Sequence, residues 1–104
     1  MSIGDAMVYK LAVSAKAENN VTNAVSYYGI INVALVERFL ADLNFTFLKI
    51  ANKPGYYKYI SNKRKNNLRC SSLKDFPFMV IFYSKQDVII IVSVLHTHRK
   101  NKYI

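Results

Sequence analysis

The stretch FMVIFYSKQDVIIIVSVL, residues 78–95, constrains the fold of this chain more than any other. Two apolar runs rich in β-branched and aromatic residues flank the polar SKQD, and each is too short to span a bilayer. Runs of this kind form neighbouring strands joined by a turn. Their near-continuous apolar character suits central positions, buried on one face with much of the other also covered. The rest of the chain has to supply that cover, and no membrane segment is expected.

The first half supplies helices. VYKLAV (8–13) alternates weakly and reads as a short first strand. Ser14 then stands where an N-cap belongs, with Glu18 early in the helix, where a negative charge suits the dipole. Ala17, Val21, Ala24, Val25 and Tyr28 make one apolar stripe, and Gly29 is expected to end the helix in a left-handed conformation. Asn32 caps a second helix on which Val36, Leu40, Leu43, Phe47 and Ile50 form the core stripe, widened by Leu35 and Phe39. On this reading Leu40→Asp buries an unpaired charge and abolishes folding. Lys53, Pro54 and Gly55 stop the helix. The short link between the helices implies an antiparallel hairpin.

Beyond residue 66 the period changes. NLRCSSL (67–73) places Leu68 and Cys70 on one face, expected to be the core side, and Arg69 and Ser71 on the other. KDFP makes a turn before the two apolar strands. The element order is therefore β-α-α-β-β-β: an α+β fold with a helical hairpin packed on a small, mainly antiparallel sheet. At 104 residues the chain fits one domain, expected over residues 7–104, since Met7 offers an alternative start that leaves residues 1–6 as a leader or an added remnant. A lone cysteine forms no internal bridge and no thiolate metal site, which fits the cytoplasm.

Charge is unevenly spread. Residues 1–52 hold four basic and four acidic side chains, while residues 53–104 hold eleven basic ones against Asp75 and Asp87, so the whole net charge of +9 lies in the second half. Such asymmetry points to a face that attracts phosphates or an acidic protein segment. The expected contacts are Lys58, Lys63, Arg64, Lys65 and Arg69, with Arg99, Lys100 and Lys102 in the tail. The last three extended segments would then make a positively charged slab.

Four segments in order, VYKLAVSAKAENNV, INVALVERFLADLNFTFLKIANKPGYYKYI, LRCSSLKDFPFMVIFY and VIIIVSVLHTHR, resemble the RelE/ParE superfamily of toxins from bacterial type II toxin–antitoxin pairs. The resemblance covers nearly the whole chain after Met7 and looks closer to the ParE-like branch. It implies a cognate antitoxin whose acidic, amphipathic C-terminal segment wraps the helix pair and sheet. ParE-type members poison DNA gyrase; RelE-type members cut mRNA on the ribosome. Fold does not decide between them.

Cleaving RNA through its own 2′-hydroxyl needs a proton acceptor, cations for the crowded phosphate and an acid for the leaving oxygen. The candidates are Arg69, which matches by motif an arginine that RNA-cleaving relatives place on phosphate, with His96, His98, Arg99 and Tyr103. Each has a competing role. His96 suits a half-buried strand end, Arg69 an ion pair with Asp87, and the 63–65 run a solvated turn touching phosphate without specificity. Tyr57 and Tyr59 in GYYKYI are expected to pack the exit of the helical hairpin onto the sheet rather than stack on bases.

No glycine-rich phosphate loop, metal-ligand spacing or nucleophile motif is present, and no cofactor is expected. Three functions stay open at this point: a gyrase-directed, non-enzymatic toxin, which is preferred; a ribosome-dependent endoribonuclease; and a degenerate member that only binds antitoxin.

Overall fold

The computed structural model describes residues 9–60 and 67–98. The order is β1 (Lys10–Val13), α1 (Ala15–Ile31), α2 (Val33–Asn52), a 3₁₀ turn (Pro54–Tyr56), β2 (Arg69–Ser72), β3 (Phe78–Lys85) and β4 (Val88–His96). The expected β-α-α-β-β-β succession is therefore present. The strands lie in the order β1-β4-β3-β2, antiparallel except for β1, which runs parallel to β4. The two apolar strands are the central ones. Among the described residues no helix is long and apolar enough to cross a membrane.

Local chemistry sets the helix starts. Ser14 Oγ accepts from the Ala17 amide at 3.0 Å and donates to the Val92 carbonyl at 2.9 Å, so one hydroxyl caps α1 and fastens it to β4. Asn32 closes α1 and opens α2: its own N–H reaches the Tyr28 carbonyl at 2.9 Å, and its Oδ1 accepts from Ala34 at 2.8 Å. Gly29 does not end α1 as expected. The helix runs through it to Ile31, and no described glycine has positive φ. A cap as effective as Asn32 outweighs the cost of about 1 kcal/mol for glycine inside a helix.

The core lies between the hairpin and one face of the sheet. Phe39 sits at its centre, with ring centroids 5.3 Å from Phe78 and 5.5 Å from both Phe76 and Tyr28. Leu43 and Ile50 are buried as expected, and Val36 and Phe47 are half-buried. Leu40 is not in the core: it is 42% exposed, whereas Phe39 is fully buried. The stripe is rotated because two polar side chains point inward with it. Asp42 accepts from the Lys74 and Asp75 amides at 3.1 and 2.7 Å, and Thr46 donates to the Asp42 carbonyl at 2.9 Å.

Cys70 also departs from expectation. Arg69 and Ser71 stand opposite the core residues Phe82 and Val80, so they face the helices, while Cys70, opposite Ile81, lies on the outer face. A bulge follows. Ile81 pairs with Ser93 and Phe82 with Ile91, leaving Val92 as the extra residue on β4. The bulge changes the parity of the strand, so that Ile89, Ile91 and Val94 all reach the helix-side core.

The rotation of α2 has a direct measurement. In urea unfolding, Phe39→Ala is expected to lose about 3–5 kcal/mol, the usual cost of truncating a buried aromatic. Leu40→Asp should change stability by no more than about 1 kcal/mol, as exposed positions do.

Candidate functional site

Of the residues assigned functional roles, Lys58, Arg69, His96 and His98 lie in the described part, while Lys63, Arg64, Lys65, Arg99, Lys100, Lys102 and Tyr103 lie outside it, as do residues 1–6. The described four fall into two groups, one on the edge strand β2 and the link beside it, the other at the end of β4.

The first group centres on Arg69, at the start of the edge strand β2. The link after the 3₁₀ turn runs back along this edge: Tyr59 bridges Arg69 in antiparallel fashion, Ile60 N–H donates to Leu68 at 2.8 Å, and Cys70 N–H donates to Lys58 at 3.2 Å. The Arg69 guanidinium donates to the backbone carbonyls of Tyr57 and Gly55, and its other nitrogen donates to the Tyr59 hydroxyl at 2.8 Å. It also lies 4.0 Å from the centroid of the Tyr59 ring, within cation–π range. Arg69 thus ties the hairpin exit to the sheet, a role different from an ion pair with Asp87.

Tyr57 packs on Phe82 with ring centroids 5.8 Å apart, as its spacing implied. Burial pushes its phenol pKa up, opposed by a hydrogen bond from Ser71 and reinforced slightly by Tyr56. Burial likewise pushes the Cys70 thiol up, and the nearby Lys58 ammonium pulls it the other way with less effect. The thiol is therefore poorly suited to nucleophilic work.

The second group is at the end of β4. His96 stands opposite Phe78 on the helix side, with ring centroids 5.1 Å apart. Its Nδ1 accepts from the His98 backbone N–H at 3.1 Å, which assigns the ring proton of the neutral form to Nε2. The two histidine rings are 5.7 Å apart, and His98 is exposed. His96 borders a groove of about 210 Å³ between α1 and β4, lined also by Asn20, Asn23 and Tyr27. Asn20 Oδ1 accepts from the Val94 amide at 2.9 Å, fastening the helix to the strand where β1 no longer reaches.

The two groups do not converge. Arg69 is level with Phe82 and His96 with Phe78. Four residues along β3 separate them by about 13 Å, and two strand spacings of roughly 4.8 Å separate them across the sheet. Their hydrogen bonds hold the Arg69 guanidinium toward Gly55 and the His96 ring toward His98. In the sequence, the two cationic runs outside the described residues are 61–66, before Arg69, and 99–104, after His98. Among the described residues no group of three His, Cys, Asp or Glu can hold a metal ion.

With this arrangement in view, likeness to known proteins can be weighed. No protein-family model matches the chain, and no curated protein matches it in sequence. A solved structure, "Chromosomal ParDE TA system from P. aeruginosa", matches with a TM-score of 0.75 at 16% identity, over 88% of this chain and 99% of that one. The chain shares the fold of that structure. The fold implied by the RelE/ParE resemblance is thus found, in a structure whose sequence has largely diverged. At such identity a ParDE-type fold carries architecture without residue roles, so Arg69 and His96 have to be judged on their own contacts.

Sequence reasoning missed Tyr59 as the partner of Arg69, Asn20 as a clasp and Asp42 as an anchor. Only Tyr59 left a signal, the alternation of GYYKYI that sets it beside Tyr57. Arg69→Ala is expected to cost about 1–3 kcal/mol, since it strands two carbonyls and a phenol. Thermal or urea unfolding tests it; an unchanged midpoint would show that the guanidinium anchors nothing.

Proposed function

We propose that this chain is the toxin of a bacterial type II toxin–antitoxin pair, of ParE-like type, acting on DNA gyrase without bond-breaking chemistry and neutralised by a cognate antitoxin. The toxin domain on this reading is residues 7–104, working in the cytoplasm. The observation that carries it is the distance between Arg69 and His96. Cutting RNA asks for a cation and a proton-transfer group on one phosphate, within about 3 Å of the reacting atoms. Here the arginine is engaged by backbone carbonyls and Tyr59, and the histidine lies two strands across and four residues along at the end of β4. The ParDE-type fold supports the same reading.

Under this proposal the basic residues act by attraction. Lys58, Lys63, Arg64, Lys65, Arg69, Arg99, Lys100 and Lys102 contact the target or an acidic antitoxin segment. Proton transfer by His96, His98 and Tyr103 belongs to the ribosome-dependent alternative.

One purified preparation tests both. Gyrase supercoiling should be inhibited, and mRNA on translating ribosomes should stay intact. Codon-linked cleavage of that mRNA would overturn the proposal in favour of an endoribonuclease. A chain that is silent in both assays and harmless on expression would leave antitoxin binding as its function.

Deleting residues 99–104 provides a second measurement. Circular dichroism and the unfolding midpoint should be unchanged while toxicity falls; full toxicity would reduce the tail to a solubility feature.

A further inference from the structure

The 3₁₀ turn after α2 carries the most exposed aromatic side chain among the described residues. Tyr56 is 80% exposed, while its neighbour Tyr57 packs on Phe82. The backbone beneath Tyr56 is held from several sides. Pro54 is buried, the Tyr56 amide donates to the Lys53 carbonyl at 3.1 Å, and the Arg69 guanidinium donates to the carbonyls of Gly55 and Tyr57 on either side of it. The Tyr56 and Tyr57 rings meet at 89° with centroids 5.3 Å apart. Tyr56 therefore buries little and yet is fixed in place.

Around that ring the surface is basic. A shallow groove of about 320 Å³ is lined by Lys49, Asn52, Lys53, Tyr56 and Tyr57, and no acid among the described residues lines it. Lys49 and Lys53 stand one helical turn apart at the end of α2, both exposed. The Lys49 ammonium lies 5.3 Å from the centroid of the Phe45 ring, within cation–π range, so packing limits where it goes. Two full charges more than offset the partial negative charge, about half an elementary unit, at the C-terminal end of a helix.

We propose that this groove binds single-stranded nucleic acid, with a base stacked on Tyr56, the flanking phosphates on Lys49 and Lys53, and the Asn52 amide beside them for hydrogen bonding. Of the residues assigned target contact above, only Arg69 takes part, as the support beneath the turn. Chemistry chooses the occupant. Inorganic phosphate or an acidic protein segment would satisfy the lysines but offers no flat face for the ring. In a duplex the faces of the bases are already stacked on one another, so a lone ring on an open surface meets only the backbone. An unpaired base with its phosphate supplies both a face for the tyrosine and a charge for the lysines, the combination used by single-strand-binding proteins that read no sequence.

The test uses the full chain and, as probes, an oligothymidylate about a dozen nucleotides long and a duplex of equal length, each followed by fluorescence anisotropy at low salt. Tyr56→Ala removes a side chain that buries little, so circular dichroism and the unfolding midpoint should match those of the original. Its affinity for the single strand should fall roughly tenfold, the loss of one base stack, while its affinity for the duplex stays within about twofold. Tyr56→Phe keeps the ring and should bind like the original; Tyr56→Leu keeps bulk without the flat face and should not. Lys49→Gln with Lys53→Gln should lower the log–log salt slope of single-strand binding by about 1.4, the loss of two phosphate contacts. Lys16→Gln, at an exposed site on α1, is the control and should leave single-strand affinity within about twofold of the original.

Equal single-strand binding by the original and Tyr56→Ala overturns the proposal, and so does a loss that is the same for single strand and duplex, which would reduce the groove to a phosphate contact. A loss that Tyr56→Phe does not restore would assign the effect to the hydroxyl and overturn the stacking. Poly-glutamate whose binding falls as far in Tyr56→Ala would assign the groove to an acidic protein segment, with the same consequence. If Tyr56→Ala does not keep its fold, the comparison of Tyr56→Phe with Tyr56→Leu decides in its place. The assay contains neither gyrase nor ribosomes, so failure here leaves the toxin reading standing.

Discussion

The carboxylate of Asp42 decides which side of α2 is inside. It is 8% exposed and receives the amides of Lys74 and Asp75, at the turn that joins β2 to β3. An acid this deep in a helix–sheet junction is tolerated only because its oxygens are hydrogen-bonded, and leaving it unpaired costs several kcal/mol. α2 is apolar nearly all round, so hydrophobic burial alone accepts more than one rotation of it. The requirement that Asp42 meet those two amides selects one. Phe39, Leu43 and Ile50 are then inside, and Phe45 and Leu48 are left outside.

A second constraint acts at the opposite side of the core. The bulge at Val92 lets β4 send Ile91 and Val94 to the same face although they are three residues apart. Without it, the parity of Ile89 and Ile91 would carry Ser93 and Leu95 to the helices and turn His96 away from them. The position of His96 against Phe78 is thus a consequence of strand geometry, in keeping with a histidine that closes a core. Asn20 and Ser14 complete the junction by holding α1 to the part of β4 that β1 leaves bare. Neither clasp needs a functional explanation, which lowers the claim of this end of the sheet to be a reaction centre.

What could be read from residues alone follows the range of the forces involved. The starts of both helices were legible because a cap acts over three residues, as at Ser14 and Asn32. The central placement of β3 and β4 was legible because their apolar runs are long and dense. The rotation of α2 was not, since periodicity weakens in a helix with apolar residues on every side, and the deciding contact is made 32 residues away from Asp42. The bulge was equally hidden: in VIIIVSVL both parities are apolar, so a one-residue slip leaves no mark. The setting of Arg69 was out of reach because two of its partners are carbonyls, which every residue possesses. Its motif suggested phosphate, while its contacts describe a clamp on the chain itself.

The charge of the molecule divides in a way that bears on how it meets a partner. The described residues hold nine basic and five acidic side chains. Six further cations and Asp5 lie outside the described residues. The described framework is therefore only mildly positive, and six of the fifteen cations lie outside it. Such charges act on encounter more than on fit: they raise the association rate, weaken with salt over a Debye length of about 8 Å, and confer little shape selectivity. Selectivity has to come from surfaces whose geometry is set by packing, such as the exposed apolar side chains at the hairpin tip (Tyr27, Ile30, Ile31, Val33) and on the outer side of α2 (Phe45, Leu48).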